Sequence, residues 1–413
     1  MSSIKQGYKQ TKVGIIPEDW EVVKLNDIFT KSFYGTSEST NEIGKYPVLR
    51  MGNMQNGTLI INDLAYIDLE DKEFKKYQLK KGDILLNRTN SYELVGKISL
   101  FDLDEDFISA SYIVAYRPNQ KILNSIFINN LLNTTYFQEK IKTLATKGVS
   151  QANINPTAFK EVIKIPLPPL KEQEKIAEIL TTWDEAISLH VKLIEEKEQL
   201  KIGLMQKLLS GEVRFEGFCD EWEEVNVGKF MIERNIQTPK SDEYPLMAFV
   251  AYKGVTDKGD RYDREFLVTD EGNKKYKRTE YGDFIYSSNN LETGSIGLNR
   301  YGSATISPVY SIFQITKSCD YKFISNFFVT KKFINNMVRY RQGVMYGQWR
   351  IHESDFLKIK VSIPCLKEQQ KIAEILSLAD DELSLLKKEL EELKQQKKGL
   401  MQKLLTGEVR VMA

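Results

Sequence analysis

Histidine, cysteine and long apolar runs are all scarce in this chain of 413 residues. Two histidines, His190 and His352, and three well-separated cysteines, Cys219, Cys319 and Cys365, supply neither a thiolate zinc site nor an even set for a disulfide framework. No apolar stretch approaches the roughly 20 residues of a membrane span. The opening MSSIKQGYKQTKVG lacks the apolar core of a secretory signal. A cytoplasmic protein with no membrane role is expected. Net charge is missing too, since 58 Lys and Arg face 57 Asp and Glu. That balance excludes a uniformly basic nucleic-acid binder. The charge is nevertheless unevenly placed. Arg117 to Lys164 carries seven Lys/Arg against Glu139 and Glu161, and Lys322 to Lys358 carries seven against Glu353 and Asp355. One basic window lies in each half.

Signatures of catalysis are lacking as well. Gly254 to Asp260 has the glycine spacing of a phosphate loop but ends on Asp260 where a lysine is required. Asn155-Pro156-Thr157-Ala158-Phe159 is only a superficial match to the Asn-Pro-Pro-aromatic motif of amino-methyltransferases, and no glycine-rich cofactor loop accompanies it. The chain is expected to be non-catalytic and to bind no metal.

What the sequence does contain is an internal repeat. KEQEKIAEIL at Lys171–Leu180 recurs as KEQQKIAEIL at Lys367–Leu376, and GLMQKLLSGEVR at Gly203–Arg214 recurs as GLMQKLLTGEVR at Gly399–Arg410. Both pairs are offset by 196 residues without a gap, with one substitution each. A fainter echo links Pro17-Glu18-Asp19-Trp20-Glu21 to Cys219-Asp220-Glu221-Trp222-Glu223, and each Trp leads into a strand-like stretch. The segments between have diverged, apart from landmarks such as Gly82-Asp83-Ile84 against Gly282-Asp283-Phe284. One scaffold used twice with different inserts implies one task performed on two different targets.

Prolines at 166, 168, 169 and 364 mark the starts of two helices of about 39 residues, each roughly 58 Å long. In the second, Ile372, Leu376, Ala379, Leu383, Leu386, Leu390, Leu393, Leu400 and Leu404 form a heptad seam broken at Lys397. In the first, Ile176, Leu180, Trp183, Ile187, Ile194, Leu204 and Leu208 form the equivalent seam, interrupted by His190, Lys197 and Lys201. Val191, Ile202, Met205 and Leu209 widen it. The two seams are expected to bury each other as an antiparallel coiled coil, with an intermolecular coiled coil as the competing arrangement.

The expected fold class is α+β: two mixed α/β domains and two long helices in a pseudo-twofold repeat. The expected segments are 1–165, 166–210, 211–362 and 363–413. Base edges are read by Arg, Lys, Asn, Gln, Ser and Thr, and phosphates by Arg, Lys and backbone NH groups. Polar loops of that composition follow the landmarks in both copies. The first copy offers Asn87, Arg88, Thr89, Asn90, Ser91 and Tyr92, with Lys147, Ser150, Gln151 and Asn153. The second offers Ser287, Ser288, Asn289 and Asn290, with Arg341, Gln342, Tyr346, Gln348 and Arg350.

Ile15-Ile16-Pro17-Glu18-Asp19-Trp20-Glu21, Ile165-Pro166-Leu167-Pro168-Pro169-Leu170 running into Lys171-Glu172-Gln173, and the Gly203–Arg214 block together resemble the type I restriction-modification specificity subunits. The resemblance spans both halves, with Cys365 standing where the first copy has Pro169. It implies two target recognition domains that each read half of a split sequence in double-stranded DNA. It further implies helices that set the spacing and dock two methyltransferase subunits, with restriction subunits added outside. S-adenosylmethionine, ATP and Mg would then belong to those partners and not to this chain. The alternative is a coiled-coil scaffold carrying two ligand-binding domains with no DNA role.

Overall fold

The computed structural model describes residues 4–251, 253–257, 275–345 and 348–411. It divides into two compact units, residues 1–191 with 388–413 and residues 192–387. Among the described residues no helix is long and apolar enough to cross a membrane.

The first unit is centred on a four-stranded antiparallel sheet ordered Phe29–Tyr34, Ile113–Pro118, Ile84–Asn87, Ile98–Leu100. Its inner strand Ile84–Asn87 is buried at every position, as the unbroken apolar run Ile-Leu-Leu requires. Glu21–Lys24, entered through Trp20, pairs antiparallel with Lys164–Leu167. Helices Ser125–Leu132 and Thr135–Thr143 cover the sheet, each started by a side-chain cap from Asn124 and Thr134.

The second unit repeats this plan. Its sheet runs Met231–Glu233, Ser311–Ile315, Phe284–Tyr286, Ile296–Leu298. Glu223–Asn226, entered through Trp222, pairs with Lys360–Ile363. Helices Tyr321–Phe328 and Lys331–Val338 are capped by Asp320 and Thr330. The duplication inferred from two short sequence blocks therefore extends through the diverged segments, because strand order tolerates substitutions that keep the buried faces apolar.

The long helices are Leu170–Ser210 and Leu366–Leu405. Each unit takes a piece of both. In the first unit, Ile176 and Leu180 near the start of one helix join Leu404 and Leu405 at the end of the other in a core with Trp20, Phe127 and Phe159. In the second, Ile372 and Leu376 join Leu208 and Leu209 in a core with Phe230, Phe284 and Phe356.

The repeated blocks owe their residues to these junctions. Glu172 accepts from the buried Trp20 Nε1 at 3.0 Å and from Arg410, whose other guanidinium nitrogens reach Asp19 at 2.7 and 2.9 Å. In the second unit Glu368 receives Arg214 at 2.9 and 2.7 Å. Gln173 accepts from the backbone of Asn124 and donates to the Pro168 carbonyl. Gln369 does the same with Asp320 and Pro364. One glutamate thus receives the arginine that follows the other copy's helix, and one glutamine ties helix start to capping loop.

Gly407 and Gly211 end the helices at φ +74° and +76°, a left-handed turn that glycine adopts without a Cβ penalty. Gly407 has a second constraint, since a Cβ there would sit 2.5 Å from Pro17 Cδ.

The polar residues that interrupt the sequence seam have partners. In the first unit Lys397 reaches Asp184 at 2.5 Å, and His190 Nε2 lies 3.8 Å from Glu389. In the second, Lys197 meets Glu382, Lys201 meets Asp380 and Lys387 meets Glu198, all within 2.6 Å. Within each unit the numbering of one helical segment rises as that of the other falls, so the segments run antiparallel. The side chains of Lys197, Lys201 and Lys397 are only 18–32% exposed while their ammonium groups reach flanking acids.

Candidate nucleic-acid interface

In the first unit, the loop after Ile84–Asn87 and the basic loop 60 residues later meet in one small antiparallel sheet, ordered Thr89–Asn90, Ala152–Ile154, Ala145–Lys147. Thr89 Oγ1 donates to Asn153 Oδ1 at 2.6 Å. The Lys147 ammonium stands 4.0 Å from the Tyr92 ring centroid and the Arg88 guanidinium 5.5 Å from that of Tyr34. Lys147, Ser150 and Gln151 are exposed on the hairpin that Gly148 and Gln151 close by a 2.8 Å backbone bond. Val149 at its tip is wholly exposed. Arg88, Thr89, Asn90, Ser91 and Asn153 are half-buried, and Tyr92 is 39% exposed.

Asn87 is placed differently. It is fully buried, and neither amide atom of its side chain has a protein partner, which also holds for Ser109 Oγ and Arg88 Nε. A buried amide left unsatisfied costs about 1–3 kcal/mol. Beside the loop, Glu93 is held below the usual carboxylate range by a backbone hydrogen bond and the Ser91 side chain, with Lys142 and Lys147 adding to the effect.

The second unit brings the corresponding loops together with other chemistry. Ser287 is buried, Ser288 and Asn289 are half-buried and Asn290 is exposed. Ser288 Oγ accepts from Ile351 N, and the Ser288 carbonyl accepts from Arg341 Nε, both at 3.0 Å. Arg341 spends its two remaining nitrogens on Glu292 at 2.6 and 2.7 Å. That pairing holds the Glu292 carboxyl below its ordinary range. Gln342 donates to Asp355 at 2.8 Å. Arg350 remains largely exposed, 3.9 Å from Glu353. Tyr346 and the side chain of Gln348 lie outside the described residues.

The placements sort the sequence candidates. Asn87 and Ser287 close off the sheet from within and present no side-chain surface to a duplex in this conformation. Arg341 is a strut between two loops. Tyr92, Lys147, Ser150, Gln151, Asn290 and Arg350 are the described candidates left with open side chains, and Gln342 is exposed but paired with Asp355. The basic windows are partly neutralised from within: Arg117 grips the buried Asp83 at 2.7 and 2.8 Å, and Lys358 meets Asp355 at 3.0 Å. In the second unit Arg234 grips Asp283, whose carboxyl is nonetheless pushed above its ordinary range by burial.

Sequence reasoning missed Tyr34, Glu292 and Lys277. Lys277 is 8% exposed, donates to the Tyr310 carbonyl at 3.0 Å and lies 4.0 Å from Glu353. No local pattern marks these residues, because each acts through a partner at least 30 residues away. Asn155 reads clearly once its geometry is known: it caps helix Pro156–Val162, accepting from Thr157 N and Ala158 N.

Comparison with known proteins follows the same duplication. Residues 17–199 and 220–395 each match the type I restriction modification DNA specificity domain. The chain is 30% identical to the putative type I restriction enzyme MjaX specificity subunit of Methanocaldococcus jannaschii, over 98% of this chain and 97% of that one. It is 25% identical to the EcoKI specificity subunit of Escherichia coli K12, over 87% and 82% of the two chains. Its fold resembles the HsdS subunit from Thermoanaerobacter tengcongensis (TM-score 0.54, 17% identity, 95% and 98% covered). It also resembles the type I S subunit from M. genitalium (TM-score 0.54, 19% identity, 95% and 97% covered).

Proposed function

Since the chain belongs to the type I restriction-modification DNA specificity family, we propose that its two units read separate halves of one bipartite DNA target. Type I specificity subunits bind DNA, assemble with other subunits and are themselves non-catalytic. In our reading the loops around Lys147 and Asn153 face one half-target, and those around Asn290 and Arg350 face the other. The paired helices act as an antiparallel coiled coil that fixes the gap between them.

The observation that carries this reading is the contrast within the repeat. The order of the central sheet, the pairing of the Trp-led strand and the Glu–Arg junction are built twice alike, while the loops gathered at Asn153 and at Ser288 keep only scattered matches such as Gly148-Val149 against Gly343-Val344. Loops that differ on a repeated framework are what two independent readers on one scaffold require.

Two methyltransferase subunits would dock on the helices, with restriction subunits outside them. In the second unit, Leu193, Leu200, Leu378 and Leu385 leave 38–58% of their surface exposed on the helical segments, an apolar supply that a docked helix would cover. S-adenosylmethionine, ATP and Mg would be held by those partners, where target adenine is flipped and methylated.

Mapping modified adenines in DNA after co-expression with the methyltransferase subunits tests the proposal. A two-part target with an unread gap of constant length is expected. One uninterrupted target, or methylation by this chain alone, would refute it.

A further inference from the structure

The ion pairs between the long helices fall into two classes when set against the 196-residue repeat. Asp184 and Asp380 are equivalent positions, and so are Lys201 and Lys397. The pair Asp184–Lys397 in the first unit and the pair Lys201–Asp380 in the second are therefore one interaction built twice. Every copy of the helix carries both members. This class would form equally well if a helix met a second copy of itself. The Glu172–Arg410 and Glu368–Arg214 junctions have the same property, since both copies supply the same residues.

The other class is one-sided. Lys197 meets Glu382, but their repeat equivalents are Leu393 and Ala186. Glu198 meets Lys387, and the equivalents are Lys394 and Val191. His190 faces Glu389, and the equivalents are Leu386 and Leu193.

Like-with-like pairing in the same register has consequences that can be read off directly. Two first helices would set Lys197 against Ala186 and Glu198 against Val191. Two second helices would set Glu382 against Leu393 and Lys387 against Lys394, a like-charge contact. Only the mixed pair satisfies all of these charges. Slipping the mixed pair by one heptad offers no escape, since Lys397 would then face Ala177 or Val191 in place of Asp184. A lysine at a seam position left without its acid disfavours that register.

We infer that Lys197–Glu382 and Glu198–Lys387 are a copy-recognition code. The two-sided Asp–Lys pairs set the register, and the one-sided pairs make each helix select the other copy's helix over a second copy of its own kind. Such a device matters for a duplicated chain, whose identical junction residues would otherwise permit association between the same halves of two molecules. Partner choice through flanking charges is a general property of paired helices.

The test uses the full chain, folded first and cut afterwards. A protease site inserted at Glu216-Gly217, both exposed between Phe215 and Phe218, separates residues 1–216 from 217–413 after folding. Differently tagged cut proteins are then mixed and their fragment pairs counted by native mass spectrometry. In the parent protein, exchange gives mixed pairs almost alone. Lys197→Glu weakens the mixed pair by about fivefold, Glu382→Lys does likewise, and the two together restore it to within about twofold. Glu198→Lys with Lys387→Glu repeats the cycle at a separate pair, so a folding failure in one series leaves the other to decide. A statistical mixture of like and unlike pairs in the parent, or single reversals without effect on exchange, overturns the inference. The assay contains neither DNA nor methyltransferase, so it can fail while the DNA-reading function stands, and the reverse.

Discussion

Arg410 and Glu172 lie 238 residues apart in sequence and share two hydrogen bonds, Nε to Oε1 at 2.7 Å and Nη2 to Oε2 at 2.9 Å. The glutamate is 3% exposed and also receives the Trp20 indole, so the C-terminal end of the chain is fastened into the first unit's core.

Arg410→Ala leaves a buried carboxylate with only an indole partner. We expect a loss of about 2–3 kcal/mol in the stability of the first unit, less than the 3–5 typical of a fully enclosed pair because the arginine is 38% exposed. Denaturant titration followed by tryptophan fluorescence measures it. A loss below about 0.5 kcal/mol would make the junction ornamental.

The same arginine contributes to the acid limb. Its hydrogen bonds hold the Asp19 carboxyl below the usual range. A carboxyl whose folded pKa is depressed contributes stability that is fully present above the unfolded value of about 3.9 and disappears as pH falls through the folded one. Arg410→Ala should therefore flatten the decline in stability below about pH 4. An unchanged slope would place the acid sensitivity elsewhere.

Gly407→Ala and Gly211→Ala separate backbone strain from crowding. Both force alanine into a left-handed turn, at about 1 kcal/mol. Only Gly407 adds an outright collision, with Pro17 Cδ, whereas a Cβ at Gly211 meets Trp222 ring atoms at 3.3 Å, a tight contact relieved by a small shift of the ring. Gly407→Ala should cost about 1–3 kcal/mol more than Gly211→Ala in the same denaturation experiment. Equal costs would remove the packing argument.

Much of this architecture was legible from residues alone, for identifiable reasons. Proline before and glycine after each heptad run fixed the helices to within a few residues of Leu170–Ser210 and Leu366–Leu405, because both residue types act through the backbone. The Gly-Asp landmarks located the inner sheet strands. The sequence reading failed where a side chain's role depends on a distant partner. Lys397 reads as a flaw in the seam until Asp184 is placed beside it. Arg341 reads as a free DNA-binding candidate, and its pairing with Glu292 is not visible from the sequence. Asn87, at the end of the strand expected there, reads as a DNA contact, yet its side chain is fully buried. Composition names the chemistry a loop can perform; only packing says which side chains are free to perform it.

Arg350→Ala should weaken binding only to DNA whose second half-target is intact, with about 1–3 kcal/mol lost per base contact, and should leave duplexes already altered in that half unaffected. Lys147→Ala should act on the other half. Competition with duplexes mutated in one half at a time distinguishes these outcomes, and equal weakening at both halves would count against separate readers.

Binding to DNA should also fall steeply with salt, the logarithm of the affinity dropping by about 0.9 per phosphate neutralised for each unit of log salt concentration. A salt-independent affinity would favour a scaffold that binds other ligands.

In the proposed function the helix pair sets the distance between two independent readers. Inserting four helical residues after Leu200 adds about 6 Å of helix. Mapping methylated adenines with this variant should show the unread gap lengthened and both half-sequences unchanged. A gap of the original length, or altered half-sequences, would contradict the account.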